Sequence, residues 1–76
     1  MNLKLSKETS LEELFALVDI VKSKGDIVFI KFDGEREINP ITIIISYPSN
    51  INKEQIRFEG DNLKELLFKT LQLYFA

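Results

Sequence analysis

The chain has 76 residues, of which 45% are hydrophobic and 29% charged, and its formal net charge is −2. This length allows one domain with a small core. Because the chain contains neither cysteine nor histidine, disulfides, thiolate metal sites and histidine-based catalysis are all excluded.

The first eight residues fit two alternatives. Leu3 and Leu5 alternate with polar residues, as in a short edge strand, but the same pattern also suits a flexible arm. The segment 1–8 is therefore predicted to be either an N-terminal edge strand or an arm.

A helix is predicted over residues 10–24. Ser10 and Glu13 have the spacing of a capping box, and Gly25 suits the position that follows a helix C-terminus. Between these signals, the apolar residues recur at helical spacing: Leu11, Leu14, Phe15, Val18 and Val21.

Two strands are predicted next, over residues 26–33 and 41–47, with a turn at Asp33-Gly34 between them. Each strand has one fully apolar face, because side chains alternate along a strand. These two faces consist of Val28, Ile30 and Phe32 in the first strand and of Ile41, Ile43, Ile45 and Tyr47 in the second.

The last two elements are a strand over residues 55–59, which directs Ile56 and Phe58 inward, and a C-terminal helix. Gly60 ends the strand, and Asp61 or Asn62 caps the helix. The apolar residues of this helix cover more than half of its circumference.

The predicted fold is α+β, in the order helix, three strands, helix. Short connections favour an antiparallel meander, and both helices are expected on the fully apolar face, in a two-layer sandwich. The N-terminus lacks the apolar segment of a signal peptide, and no apolar run reaches the ~18 residues of a membrane span, so a soluble cytoplasmic protein is expected.

The opposite face of the sheet is the first candidate partner-binding surface. Phe29 and Ile44 would lie side by side there if their strands pair. An apolar centre with a polar rim is typical of protein-binding patches, although the N-terminal segment could instead fold over it. The candidate residues are Phe29, Ile44, Lys31, Arg57 and Ile27.

Asp33, Glu35 and Glu37 form an acidic loop. Their carboxylates could be oxygen ligands for a cation, but a solvated acidic loop is the simpler interpretation, and we predict no metal and no cofactor. Without histidine, no serine or threonine has a plausible base partner. The sequence therefore predicts a protein that is not an enzyme.

The C-terminal helix offers a second candidate surface. Phe68 and Phe75 fall toward a side that two-layer packing need not cover. They either close the end of the core or form a homodimer contact.

The element order resembles that of double-stranded RNA-binding domains, which implies binding to an RNA duplex. Such domains have basic residues at the start of the second helix, whereas this helix opens with Asp61-Asn62-Leu63-Lys64-Glu65. They also have a histidine-bearing loop between the first two strands, where this chain has Asp33-Gly34-Glu35-Arg36-Glu37. Acidic residues at both places would repel phosphate.

The leading prediction is therefore a small protein-binding module of the adaptor or inhibitor type, which occludes a basic site on another macromolecule. Phage-encoded anti-defence inhibitors and toxin-neutralising immunity proteins have this general character, an argument by association. The alternatives are a structural homo-oligomer and a domain that binds double-stranded RNA. The expected partner is another protein or a second copy of the chain, and neither nucleic acid nor a membrane.

Overall fold

The computed structural model describes residues 5–76. It confirms the predicted order α-β-β-β-α, with the three strands in one open antiparallel sheet of order β1-β2-β3. The elements are α1 (Leu11–Ser23), β1 (Ile27–Phe32), β2 (Ile41–Ser46), β3 (Ile56–Gly60) and α2 (Leu63–Tyr74).

Only part of the segment predicted as an edge strand or an arm, residues 5–8, is described. Residues 1–4 lie outside the described residues, and residues 5–8 form a turn rather than a strand. The Ser6 N–H donates to Thr9 Oγ1 (3.1 Å), and the Thr9 N–H donates back to the Ser6 carbonyl (3.0 Å). Leu5 packs against the core, so residues 5–9 are part of the folded domain.

Both helices begin at predicted capping residues. The Glu13 N–H donates to Ser10 Oγ (3.1 Å) at the start of α1, and the Glu65 N–H donates to Asn62 Oδ1 (3.0 Å) at the start of α2. After α1, Gly25 has φ +87°. That left-handed conformation strains residues with a Cβ, which explains glycine at this position.

The core lies between the sheet and the two helices. α1 packs on β1, α2 packs on β2 and β3, and the helices also contact each other. From the sheet, Ile43 and Ile45 of the central strand are fully buried. The buried apolar residues are Leu14, Val21, Ile41, Ile43, Ile45, Ile56, Leu66, Leu67 and Leu71.

The prediction that Phe32 is buried on the core face was wrong, because its side chain is 63% exposed. Phe32 is the last residue of an edge strand and pairs only with Ile41. Of the two helices, only α1 packs on this strand. Val28 and Ile30 are consequently half-buried, and Phe32, at the strand end, remains largely in solvent.

A polar contact joins the C-terminus of α2 to the connection between α1 and β1. The Tyr74 hydroxyl donates to the Asp26 carboxylate (2.6 Å), and the Tyr74 ring stacks on Tyr47 with centroids 5.9 Å apart. Burial, followed by the hydrogen bond to Asp26, raises the pKa of Tyr74 above its usual range. This contact fixes the end of α2 against the residue that precedes β1 and the residue that follows β2.

We predict that Gly60→Ala destabilises the fold. A Cβ at Gly60 would lie 3.0 Å from a methyl group of Leu66, which is buried and has little room to move. Overpacking of this kind costs about 1–3 kcal/mol, measurable by urea unfolding. Gly34→Ala is the matched control, because a Cβ there meets no atom within 4 Å. If Gly60→Ala and Gly34→Ala had the same free energy of unfolding, the close packing of Gly60 against Leu66 would be contradicted.

We also predict that Tyr74→Phe lowers the free energy of unfolding at pH 7 by about 1.5 kcal/mol, since it removes a hydrogen bond to a charged group. The folded-state pKa of Tyr74 is raised, so this contribution is present below the unfolded pKa of about 10 and is lost as the pH rises above it. Urea unfolding of both proteins from pH 7 to 11 measures the difference.

Tyr47→Phe serves as the control for Tyr74→Phe, because no hydrogen bond of the Tyr47 hydroxyl is present among residues 5–76. It should change stability at pH 7 less than Tyr74→Phe does. If the wild-type protein and Tyr74→Phe were equally stable at pH 7, the proposed role of the contact would be wrong.

Candidate protein-binding surface

The candidate surface is the face of the sheet that is opposite the helices. The register places Phe29 beside Ile44 and Ile44 beside Arg57 across the three strands, as expected from the alternation of side chains. Both helices pack on the other face, with the buried isoleucines of β2. The strand pairing therefore brings the predicted apolar residues together.

The apolar part of this face is open to solvent. Ile27 is 54% exposed and Phe29 is 51% exposed, whereas Ile44, between Phe29 and Arg57, is half-buried. We call Ile27, Phe29 and Ile44 the outer patch. The domain measures 36 × 31 × 17 Å, and its smallest dimension leaves room for one sheet and one helix layer. Phe29, rather than Ile44, presents most of the central apolar surface.

The polar part of this face is covered by the chain's own ion pairs. Lys31, Thr42 and Glu59 are adjacent across the three strands. Glu59 accepts from Arg57 (2.7 Å) and from Arg36 of the β1–β2 loop (3.3 Å). Thr42 between the charged side chains is only 4% exposed, so this half of the face is shielded.

Hydrogen bonds and neighbouring charges keep two of these carboxylates ionised. The pKa of Glu59 is lowered by its hydrogen bonds to Arg57 and Arg36. The pKa of Asp33 is lowered, first by the hydrogen bond from the Glu35 N–H (3.0 Å) and then by Lys31, whose Nζ is 3.4 Å away. Lys31, Asp33, Arg57 and Glu59 therefore neutralise one another next to the outer patch.

The acidic loop does not assemble into a cation site. Asp33 orders its own turn, because it accepts from the Glu35 N–H and its carbonyl accepts from the Arg36 N–H (3.2 Å). No group of three or more acidic side chains within residues 5–76 could hold a metal ion. Glu35 and Glu37 are exposed, and neither makes an ion pair with another described residue. The neighbouring network of three cations and two carboxylates carries one positive charge, so with Glu35 and Glu37 this end of the sheet is left with a net negative charge of one.

The structure places the two C-terminal candidates, Phe68 and Phe75, against the core, where both are half-buried. The Phe75 ring packs edge-on against Tyr74 with centroids 4.9 Å apart, and Lys24 Nζ lies 5.5 Å from its centre. The exposed apolar residue of this helix is instead Leu73, at 54%. Packing against the core corresponds to the first alternative predicted for Phe68 and Phe75, and Phe75 itself follows the last residue of α2.

An open groove of about 510 Å³, which the sequence did not indicate, lies between residues 6–9 and α2. Phe68 lines it together with Lys7, Lys64, Glu65 and Lys69. These charged side chains are exposed, so the groove has no buried charged group among its described lining residues. It lacks the convergent polar groups that define a small-molecule site.

No helix within residues 5–76 is long and apolar enough to cross a membrane. Comparisons of the chain with protein-family models, with curated proteins and with solved structures give no match.

Proposed function

We propose that this protein is a non-enzymatic protein-binding module of the inhibitor or adaptor type, which binds its partner through the outer patch. The observation that carries the proposal is the exposure of Ile27 and Phe29 on a sheet face that no helix covers. Full burial of such a side chain from full exposure releases about 1.5–3 kcal/mol, so the exposed half of each contributes about 1 kcal/mol when a partner covers it. Aromatic residues at the centre of a patch dominate many protein interfaces.

The charges around the outer patch support a protein partner rather than a nucleic acid. The two cations on this face, Lys31 and Arg57, lie within 4 Å of carboxylates of the same chain. Binding to a duplex requires cations available for phosphates. The cations nearest the outer patch are already paired, and the patch itself is apolar.

The carboxylates of the β1–β2 loop indicate the chemistry of the partner. Glu35 and Glu37 leave negative charge at the end of the sheet where β1 meets its loop. A partner with an apolar centre and basic residues at one side would complement both features. The protein would then occlude a basic site on another protein, with apolar contacts providing affinity and the loop carboxylates providing orientation and association rate.

We predict that Phe29→Ser abolishes capture of a specific partner from a native lysate of the source cells, because it removes the centre of the patch. Phe32→Ser is the matched control, since it changes the same residue type, also more than half exposed, on the opposite face of the same strand. Quantitative mass spectrometry should find a protein retained by the wild type and by Phe32→Ser but lost with Phe29→Ser.

A double variant, Glu35→Gln with Glu37→Gln, should weaken the same capture by several fold at low salt and less at 0.5 M salt, because salt screens exposed charges. Circular dichroism confirms that each variant is folded. The proposal is wrong if every protein retained by the wild type is retained equally by Phe29→Ser, or if the retained material disappears on nuclease treatment.

A further inference from the structure

Among residues 5–76, strand β1 is an edge of the open sheet, and one side of its backbone is unpaired. The order β1-β2-β3 gives β1 a neighbour only in β2. No strand within the described residues pairs with its other side. An exposed edge presents N–H and C=O groups that can pair with another strand.

The register identifies the residues that carry these free groups. The Asp33 N–H donates to the Pro40 carbonyl (2.7 Å), and this pair continues the β1–β2 register beyond Phe32 and Ile41. Hydrogen-bonded and non-hydrogen-bonded pairs alternate in an antiparallel ladder. Phe29 and Lys31 therefore bond to β2. The N–H and C=O groups at the free edge are those of Val28, Ile30 and Phe32.

The side chains of β1 give this edge little of the usual protection, because Lys31 is its only charged residue. Five of its six residues are apolar, and Ile27, Phe29 and Phe32 are each more than half exposed. The other edge, β3, differs because Arg57 and Glu59 form an ion pair along it and Gly60 ends it. Charged residues and short strands discourage edge pairing, so β1 is the edge that favours it.

We infer that β1 pairs antiparallel with β1 of a second copy of this chain, about a two-fold axis at Ile30, to give a continuous six-stranded sheet. This register sets Val28 opposite Phe32 of the second copy and Ile30 opposite itself. All three free-edge residues are then paired, with about six new hydrogen bonds.

The residues of β1 favour an axis at Ile30 over an axis at either adjacent residue. An axis at Phe29 pairs Phe32 with Asp26, which lies outside the strand, and an axis at Lys31 sets two lysines directly opposite each other, which is unfavourable. With the axis at Ile30, each Lys31 lies opposite Phe29 of the second copy, where its stem covers the ring. The apolar side chains of each copy thus face apolar or amphipathic ones of the other.

The inference goes beyond the proposed function and does not depend on it. In the two-fold pair both copies keep their helices on the same side of the sheet, so the two outer patches become neighbours on one surface. Pairing of this single strand buries less area than a stable dimer interface, about 1,200–2,000 Å². The association is consequently weak and depends on protein concentration.

Disulfide trapping tests the register, because the chain has no cysteine of its own. Phe29→Cys and Lys31→Cys would face each other at a Cα separation of about 4.5 Å, within the range of disulfides. In an equimolar mixture under mild oxidation, heterodimers should form at least several fold faster than either homodimer. Ser23 is exposed on α1 and away from β1. Homodimer formation by Ser23→Cys therefore gives the background rate of disulfide formation by random collision.

Heterodimer formation no faster than homodimer formation by Ser23→Cys would overturn the inference. So would preferential homodimers of Phe29→Cys, which indicate face-to-face contact of the outer patches or another register. Capture of a partner through Phe29 is measured separately, so the proposed function can survive failure of this test.

Sedimentation without cysteines gives a second, independent test. Phe32→Pro removes a free-edge N–H that β2 does not use, which an edge strand tolerates, whereas Phe32→Ser removes the same ring but keeps the N–H. Between about 20 µM and about 1 mM, concentrations that cover micromolar to millimolar dissociation constants, the wild type should dimerise, and Phe32→Pro should weaken dimerisation about tenfold more than Phe32→Ser. A monomeric wild type, or equal effects of the two variants, would overturn the inference.

Discussion

The burial of one face of the sheet under the two helices, with β2 at its centre, is the interaction on which the rest of the structure depends. Ile43 and Ile45 are fully enclosed there, together with Leu14 from α1 and Leu67 and Leu71 from α2. With two helices, of 13 and 12 residues, the described chain covers only one side of its sheet. Every exposed apolar residue of functional interest follows from this one-sided packing.

The uncovered face is divided into two halves with different chemistry. Ion pairs among Lys31, Asp33, Arg36, Arg57 and Glu59 shield one half, where Thr42 is buried beneath them. The other half, Ile27, Phe29 and Ile44, has no such cover among the described residues. The charged side chains of the first half are already paired with one another. A binding partner therefore gains most binding free energy by covering the outer patch.

Sequence patterns predicted the elements well because their signals are local: Ser10 and Asn62 as caps, the alternation along β2, and the turn at Asp33. They also placed Phe29 beside Ile44, since pairing of adjacent strands follows from short loops. They failed where distant residues decide the outcome. Tyr74 bonds to Asp26, 48 residues away, and Arg36 to Glu59, 23 residues away. Nor does alternation reveal that Phe32 lies at the uncovered corner of an edge strand.

Residue-resolved amide hydrogen exchange in dilute solution tests the central claim, that a one-sided core on β2 leaves β1 as an open edge. The account predicts the slowest exchange at Ile43, Ile44 and Ile45. Along β1 it predicts alternation, with slow amides at Phe29 and Lys31 and fast ones at Val28, Ile30 and Phe32. Uniform exchange along β1, or β2 amides that exchange as fast as the helix ends, would contradict it.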